Sequence, residues 1–65
     1  MTPIERTIFR TFYREACFGA GAAIRRSARA SMEAMAREAG VPLREAFESN
    51  CLDMNAYFAT KPIGS

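Results

Sequence analysis

The sequence contains no histidine and no tryptophan, and its only cysteines are Cys17 and Cys51. Without histidine, a serine or cysteine nucleophile lacks its commonest general base. Neither cysteine lies in a spacing that is typical of metal ligands. We therefore expect no catalytic residues, no metal site and no cofactor. We also expect both cysteines to be buried, reduced thiols that form no intrachain disulfide.

Long apolar runs and strand-forming residues are also scarce. The longest apolar stretch, residues 16–24, is far shorter than the roughly 20 residues that span a membrane. The N-terminus lacks the basic stretch and apolar run of a secretory signal, and valine occurs once. The net charge of +2 is too small to indicate nucleic-acid binding by itself. These features predict a cytoplasmic, all-α protein with a single domain over residues 1–65.

Helix signals occur at both ends of the first half of the chain. Thr2, Pro3 and Glu5 have the pattern of a capping box with proline at the first helical position. Gly40 is placed like a glycine that ends a helix, and a second amphipathic pattern begins near Pro42. We therefore predict a helical hairpin. It has one long helix over about residues 3–39, a shorter helix over about residues 42–59 and a flexible tail over residues 60–65.

Gly19 and Gly21 lie inside the long predicted helix and leave two arrangements open. Each interior glycine costs about 1 kcal/mol relative to alanine, so a three-helix bundle broken at these glycines is the alternative. The apolar pattern, however, keeps its helical register across both glycines, and a broken helix would have no reason to preserve it. We therefore favour one continuous helix of about 55 Å.

A continuous first helix would extend well beyond the second helix that folds back on it. The N-terminal half of the first helix would then expose its apolar stripe, which is rare in a soluble monomer. Since the two-fold dimer is the commonest oligomer, we predict a homodimer with a four-helix arrangement, in which two copies cross at their small residues. The predicted dimer interface contains Phe9, Phe12, Tyr13, Ala16, Gly19, Ala20 and Ala23.

Arginines recur along the polar side of the first helix, and Phe18 lies among them. Like charges four residues apart repel by a few tenths of a kcal/mol, so this pattern is not explained by helix stability. Aromatic and arginine side chains are typical of the residues that dominate binding interfaces. One interpretation is a binding strip for an acidic surface, and the other is a solvated face. The predicted partner-binding residues are Arg10, Arg14, Phe18, Arg25, Arg29 and Met32.

Residues 36–47 resemble the turn of a helix-turn-helix motif, with alanine four positions before Gly40 and an apolar residue after it. The resemblance covers about a fifth of the chain and implies DNA binding. Pro42 and Leu43 depart from the family, because a serine or threonine normally caps the recognition helix. That helix would also present a mostly acidic set of side chains, whereas phosphate contacts provide most non-specific affinity for DNA.

The sequence therefore favours a small regulator or inhibitor that acts by docking on a larger protein. Small size without catalytic residues is typical of phage and plasmid anti-activators, anti-defence inhibitors and adaptors, although size identifies no family. A DNA-binding transcriptional regulator is the alternative. Binding to a membrane surface is a third class that fits less well, because the apolar arc of the helix is mostly alanine.

Overall fold

The chain forms four α-helices in a computed structural model that describes residues 1–62. They are α1 (Pro3–Phe18), α2 (Ala22–Ala39), α3 (Leu43–Ser49) and α4 (Met54–Ala59). These described residues contain no strand, which confirms the all-α prediction. The two main helices, α1 and α2, pack along each other. Because only three residues join them, they run in opposite directions as a helical hairpin.

The predicted continuous helix over residues 3–39 is wrong, because residues 19–21 separate α1 from α2. Both glycines have extended backbone. Gly19 has φ of −60° and ψ of 150°, and Gly21 has φ of −152° and ψ of 158°. Space rather than φ requires glycine at the first of these positions. A Cβ atom on Gly19 would lie 2.5 Å from the Glu15 carbonyl oxygen, whereas one on Gly21 would meet nothing within 4 Å. The chain therefore breaks at these glycines, as in the alternative arrangement, but it forms four helices instead of three.

The prediction that the helical register continues through both glycines is wrong on α2, because the face that α2 buries is not the continuation of the buried face of α1. Phe9 and Ala16 are buried on α1, and Ala28, Met32 and Ala36 are buried every four residues on α2. At about 100° per residue, a continuous helix would place Met32 about 160° away from Ala16. Ile24, which continues the apolar pattern of α1 at helical spacing, exposes 49% of its surface. The break at residues 19–21 therefore allows α1 and α2 to bury faces that one straight helix would direct to different sides.

Two predicted helix ends are confirmed. The Thr2 hydroxyl accepts a hydrogen bond from the Glu5 backbone N–H at 3.2 Å, and the Glu5 carboxylate accepts one from the Thr2 N–H at 2.8 Å. This capping box begins α1. Gly40 follows α2 with φ of 72°, and its N–H donates to the Arg37 carbonyl at 3.0 Å. Glycine suits this left-handed position because it has no Cβ.

The predicted second helix over residues 42–59 is wrong, because residues 50–53 separate α3 from α4. Cys51 has φ of 56°, in the left-handed region that other residues than glycine rarely adopt. The N–H of the following residue donates to the Phe47 carbonyl at 2.9 Å, which closes α3 as in a Schellman motif. The Asp53 carboxylate then caps α4 by accepting a backbone N–H at 2.9 Å. One predicted helix is thus two short ones.

The two cysteines have different environments. Both are free thiols; Cys17 is buried, as expected, and Cys51 is exposed. The expectation of a buried Cys51 is wrong because this residue lies in the turn after α3 instead of on an apolar helix face.

Phe47 of α3 lies at the centre of the hydrophobic core, with 0% of its side chain exposed. Its ring contacts the rings of Phe9, Tyr13 and Tyr57 at centroid distances of 5.9, 5.8 and 4.9 Å. These contacts connect α3 to α1 and to α4. The aromatic half of α1 is thereby covered within a single chain, so a second copy is not needed to cover it.

The described part of the predicted tail lies against the helices. Thr60 ends α4, and its hydroxyl donates to the Ala56 carbonyl at 2.7 Å. Pro62 is buried. The remainder of the predicted tail, residues 63–65, lies outside the described residues.

Candidate protein-binding surface

Part of the predicted arginine strip forms a surface on α1. Arg10, Arg14 and Phe18 are all exposed, and Phe18 exposes 71% of its surface. Phe18 follows the buried Phe9 by nine residues, which at about 100° per residue places the two side chains on opposite sides of the helix. Phe18 therefore lies on the side of α1 that faces away from the core.

Two exposed isoleucines lie on the same side of α1 as Phe18, nearer to its N-terminus. Ile4 and Ile8 expose 74% and 43% of their surface. At about 100° per residue, they lie about 40° and 80° from Phe18 on one side. Arg14 and Arg10 lie at about the same angles on the other side. We call these five residues the outer face of α1; from Ile4 to Phe18 it is about 21 Å long.

The remaining members of the predicted strip do not belong to this surface. Arg25 is half-buried, and its Nη1 donates to the Gly19 carbonyl at 3.1 Å, which holds the turn between α1 and α2. Arg29 and Met32 are buried on α2, with 5% and 0% of their surface exposed. The structure therefore brings together the α1 members of the strip and separates them from the α2 members.

The structure also divides the residues predicted for a dimer interface. Phe9 and Ala16 are fully buried in the core of the chain itself, with 0% exposed. Phe12 and Tyr13 are half-buried, and the Tyr13 hydroxyl donates to the Asp53 carbonyl at 2.9 Å. The small residues around the turn complete the set: Gly19 is half-buried, and Ala20 and Ala23 are exposed.

Arg29 is a charged residue within the core. Its Nη2 donates to the Tyr57 carbonyl and to the Thr60 hydroxyl, the latter at 3.1 Å. Its guanidinium carbon lies 4.1 Å from the centroid of the Tyr57 ring, which is a cation–π contact. Among residues 1–62, no group accepts a hydrogen bond from its Nε. These partners are all neutral, whereas a buried charge usually has an ionised partner.

Several residues near Arg29 were not singled out by the sequence patterns. Arg26, Tyr57, Phe58 and Lys61 line a cleft between α2 and α4 together with Arg29. Burial, reinforced by the nearby Glu33 carboxylate, raises the pKa of Tyr57. The only feature of the sequence that could have indicated this cleft is the close spacing of Arg26 and Arg29 on α2. No local pattern indicates that α4 folds back onto α2, so the cleft could not be found from sequence.

The segment that resembles a helix-turn-helix does contain a helix, a turn and a second helix. Pro42 occupies the N-cap of α3, where no side-chain hydrogen bond caps the helix. The charged residues of α3 are Arg44, Glu45 and Glu48, and all three are exposed. Acidic residues thus outnumber basic ones on this helix, which makes it poorly suited to phosphate contact.

Within residues 1–62, no group of three or more His, Cys, Asp and Glu side chains is placed to hold a metal ion. In the same part of the chain, each helix is too short or too polar to cross a membrane. Comparison with models of known families, with curated proteins and with solved structures found no match. Function must therefore be inferred from the surface of the fold itself.

Proposed function

We propose that this chain is a small protein-binding regulator that docks on an acidic surface of a larger protein through the outer face of α1. The observation that carries this proposal is the 71% exposure of Phe18 on the side of α1 opposite the core. An aromatic side chain flanked by arginines has the composition of the residues that dominate the energy of protein interfaces.

Burial of the outer face would contribute favourable energy to a contact. Burial of a large apolar side chain such as Phe18 stabilises a complex by about 1.5–3 kcal/mol, and the two isoleucines of the outer face add further apolar area. Arg10 and Arg14 form one edge of the face, so an acidic partner surface would complement that edge. The opposite edge contains Glu15, and the resulting asymmetry would orient the partner.

Two threonines on the outer side of α1 lower the cost of removing this surface from water. The Thr7 hydroxyl donates to the Pro3 carbonyl at 3.1 Å, and the Thr11 hydroxyl donates to the Thr7 carbonyl at 3.0 Å. Their donors are therefore already satisfied within the helix, and burial against a partner would leave neither hydroxyl proton unpaired. Hydroxyls that needed water would oppose binding.

The proposal is tested by capture of partners from the native host with the wild-type chain, Phe18→Asp and Ser27→Asp. Ser27 is exposed on α2, so its substitution adds the same charge outside the outer face. We expect the wild type and Ser27→Asp to retain one common partner and Phe18→Asp to lose it, with unchanged circular dichroism in all three. Retention of every partner by a folded Phe18→Asp would contradict the proposal.

The charge of the partner is tested with a second pair of variants. Arg10→Gln with Arg14→Gln should weaken binding and reduce its dependence on salt, because an acidic partner is attracted by these arginines. Arg37→Gln with Arg44→Gln removes the same charge from exposed positions elsewhere and should have little effect. Equal effects of the two pairs would mean that the basic edge is not the contact.

Other occupants of the surface would give different results. If the occupant were a second copy, light scattering would give twice the 7.2 kDa mass of one chain, and Phe18→Asp would return the mass to that of one chain. A DNA-binding protein would retard duplex DNA in a mobility-shift assay, with affinity that falls steeply as salt rises. Either result would contradict the proposal, because the partner would then be a second copy or DNA instead of a larger protein.

A further inference from the structure

A cleft between α2 and α4 has the charge of an anion-binding site. Its volume is about 280 Å³, and its lining includes Arg26 and Arg29 of α2 and Lys61 just after α4. Among the described residues that line it, the acidic one is Glu33, whose carboxylate accepts a hydrogen bond from the Tyr57 hydroxyl at 3.5 Å. Three cations and one carboxylate give the cleft an excess of positive charge in a chain with a net charge of only +2.

The burial of Arg29 distinguishes this cleft from an ordinary basic surface. Only 5% of Arg29 is exposed, and its hydrogen bonds are made to a neutral carbonyl of Tyr57 and a neutral hydroxyl of Thr60. Its Nε has no acceptor among residues 1–62. An ionised group that is removed from water without an opposite charge is unfavourable. Glu33 lines the same cleft but accepts its hydrogen bond from Tyr57, so a bound anion would supply a further opposite charge for Arg29.

The cleft also has an aromatic wall and a limited size. Phe58 exposes 55% of its surface and lies edge-on to Tyr57, with 5.4 Å between the ring centroids. Its exposed ring is available for stacking against a flat group. Pockets for drug-sized molecules enclose about 300–1,000 Å³, so a cleft of about 280 Å³ suits a smaller molecule.

We propose that this cleft binds a small organic anion, in which a carboxylate or phosphate group is attached to one flat apolar ring. Arg26 and Lys61 contact the anionic group, and Arg29 contributes buried positive charge. Phe58 packs against the ring. Arg26 and Lys61 are exposed, so their long side chains have the freedom to close on a ligand. This activity is separate from the proposed docking of the outer face of α1.

The proposal is tested by titrating the full chain, at constant ionic strength, and following the backbone amide resonances by nuclear magnetic resonance. The ligands are phenyl phosphate and phenylacetate, which separate the two anionic groups, with inorganic phosphate and benzyl alcohol as controls. We expect at least one aromatic anion to shift resonances of α2 and α4 around the cleft and to bind more tightly than inorganic phosphate. Benzyl alcohol should shift none of them. Absence of these shifts with both aromatic anions at millimolar concentration would overturn the proposal.

Substitutions then separate the anionic and aromatic contributions. Arg26→Gln and Lys61→Gln should each weaken binding of the aromatic anion by about tenfold, the loss expected for one charge-assisted hydrogen bond. Phe58→Ala should reduce its affinity to that of inorganic phosphate and leave the affinity for inorganic phosphate unchanged. Arg44→Gln, which removes an exposed charge from α3, should bind like the wild type. Equal weakening by Arg44→Gln would show that net charge alone is responsible, and the proposal would then be wrong.

Discussion

Alanine at Gly19 and alanine at Gly21 should have opposite effects on stability. A Cβ at residue 19 would lie 2.5 Å from the Glu15 carbonyl oxygen and 3.0 Å from a methyl group of Ile24. The carbonyl belongs to the last turn of α1 and cannot move without disturbing that helix. Overpacking of this kind costs about 1–3 kcal/mol. In a domain of this size, 1 kcal/mol corresponds to about 4–8 °C in Tm, so Gly19→Ala should lower Tm by about 4–24 °C.

Gly21→Ala is the matched control, because a Cβ at this position meets nothing within 4 Å. The φ and ψ of −152° and 158° are available to any residue. Alanine therefore restricts the unfolded chain without straining the folded one, which stabilises a protein by about 0.4–1 kcal/mol. Urea and thermal unfolding followed by circular dichroism measure both variants, and light scattering checks that each keeps the mass of the wild type. If Gly19→Ala were as stable as Gly21→Ala, the close contact between a Cβ at residue 19 and the Glu15 carbonyl would be refuted as the reason for glycine at this position.

Three further results are expected. Phe47→Ala should lower the free energy of unfolding by about 3–5 kcal/mol because it empties the centre of the core. Phe58→Ala, at a half-exposed ring, should change the free energy of unfolding by about 0.5 kcal/mol or less. Urea denaturation measures both variants. The pKa of Tyr57 is raised above its usual 10.0 by burial and Glu33, so its stabilising contribution is complete below pH 10 and is lost as pH rises further. The alkaline fall in stability should therefore be smaller in Tyr57→Phe. Cys51→Gly should stabilise the chain by about 1 kcal/mol, because it removes a side chain from the left-handed region, and a loss of stability would show that this thiol makes contacts that matter more.

The helix ends that the sequence predicts correctly depend on chemistry within a few residues. The reciprocal hydrogen bonds of Thr2 and Glu5 span three positions. The end of α2 depends on one residue, because Gly40 itself adopts the left-handed backbone. The second break also had a local signal, since Asp53 is a good N-cap residue. Asn50 on the predicted apolar face was a further local signal of this break, because a buried side-chain amide needs hydrogen-bond partners. It finds them in the Ala46 carbonyl at 2.8 Å and in Arg6 Nε at 3.3 Å.

The first break and the cleft depend on distant parts of the chain. A rod paired with a second copy and a hairpin closed on itself bury the same arc of α1, so the apolar pattern of α1 alone cannot distinguish them. What distinguishes them is Phe47, which reaches Phe9 from α3 and covers α1 within one chain. Arg29 was wrongly predicted to lie on the surface because its burial also depends on a distant part of the chain. It becomes buried only because α4 folds back and places the Tyr57 ring against it.

The same packing explains why the outer face of α1 stays uncovered. At about 100° per residue, Phe12, Tyr13 and the buried residues of α1 all lie about 100° or more from Phe18 around the helix axis. The partners of this arc are α2, the Phe47 ring and the Asp53 carbonyl. α3 and α4 have seven and six residues, about 10 Å each at 1.5 Å per residue, and both are already packed against the inner arc. Residues 1–62 therefore contain no further helix that could cover Phe18, and burial of this side chain requires a surface from outside these residues.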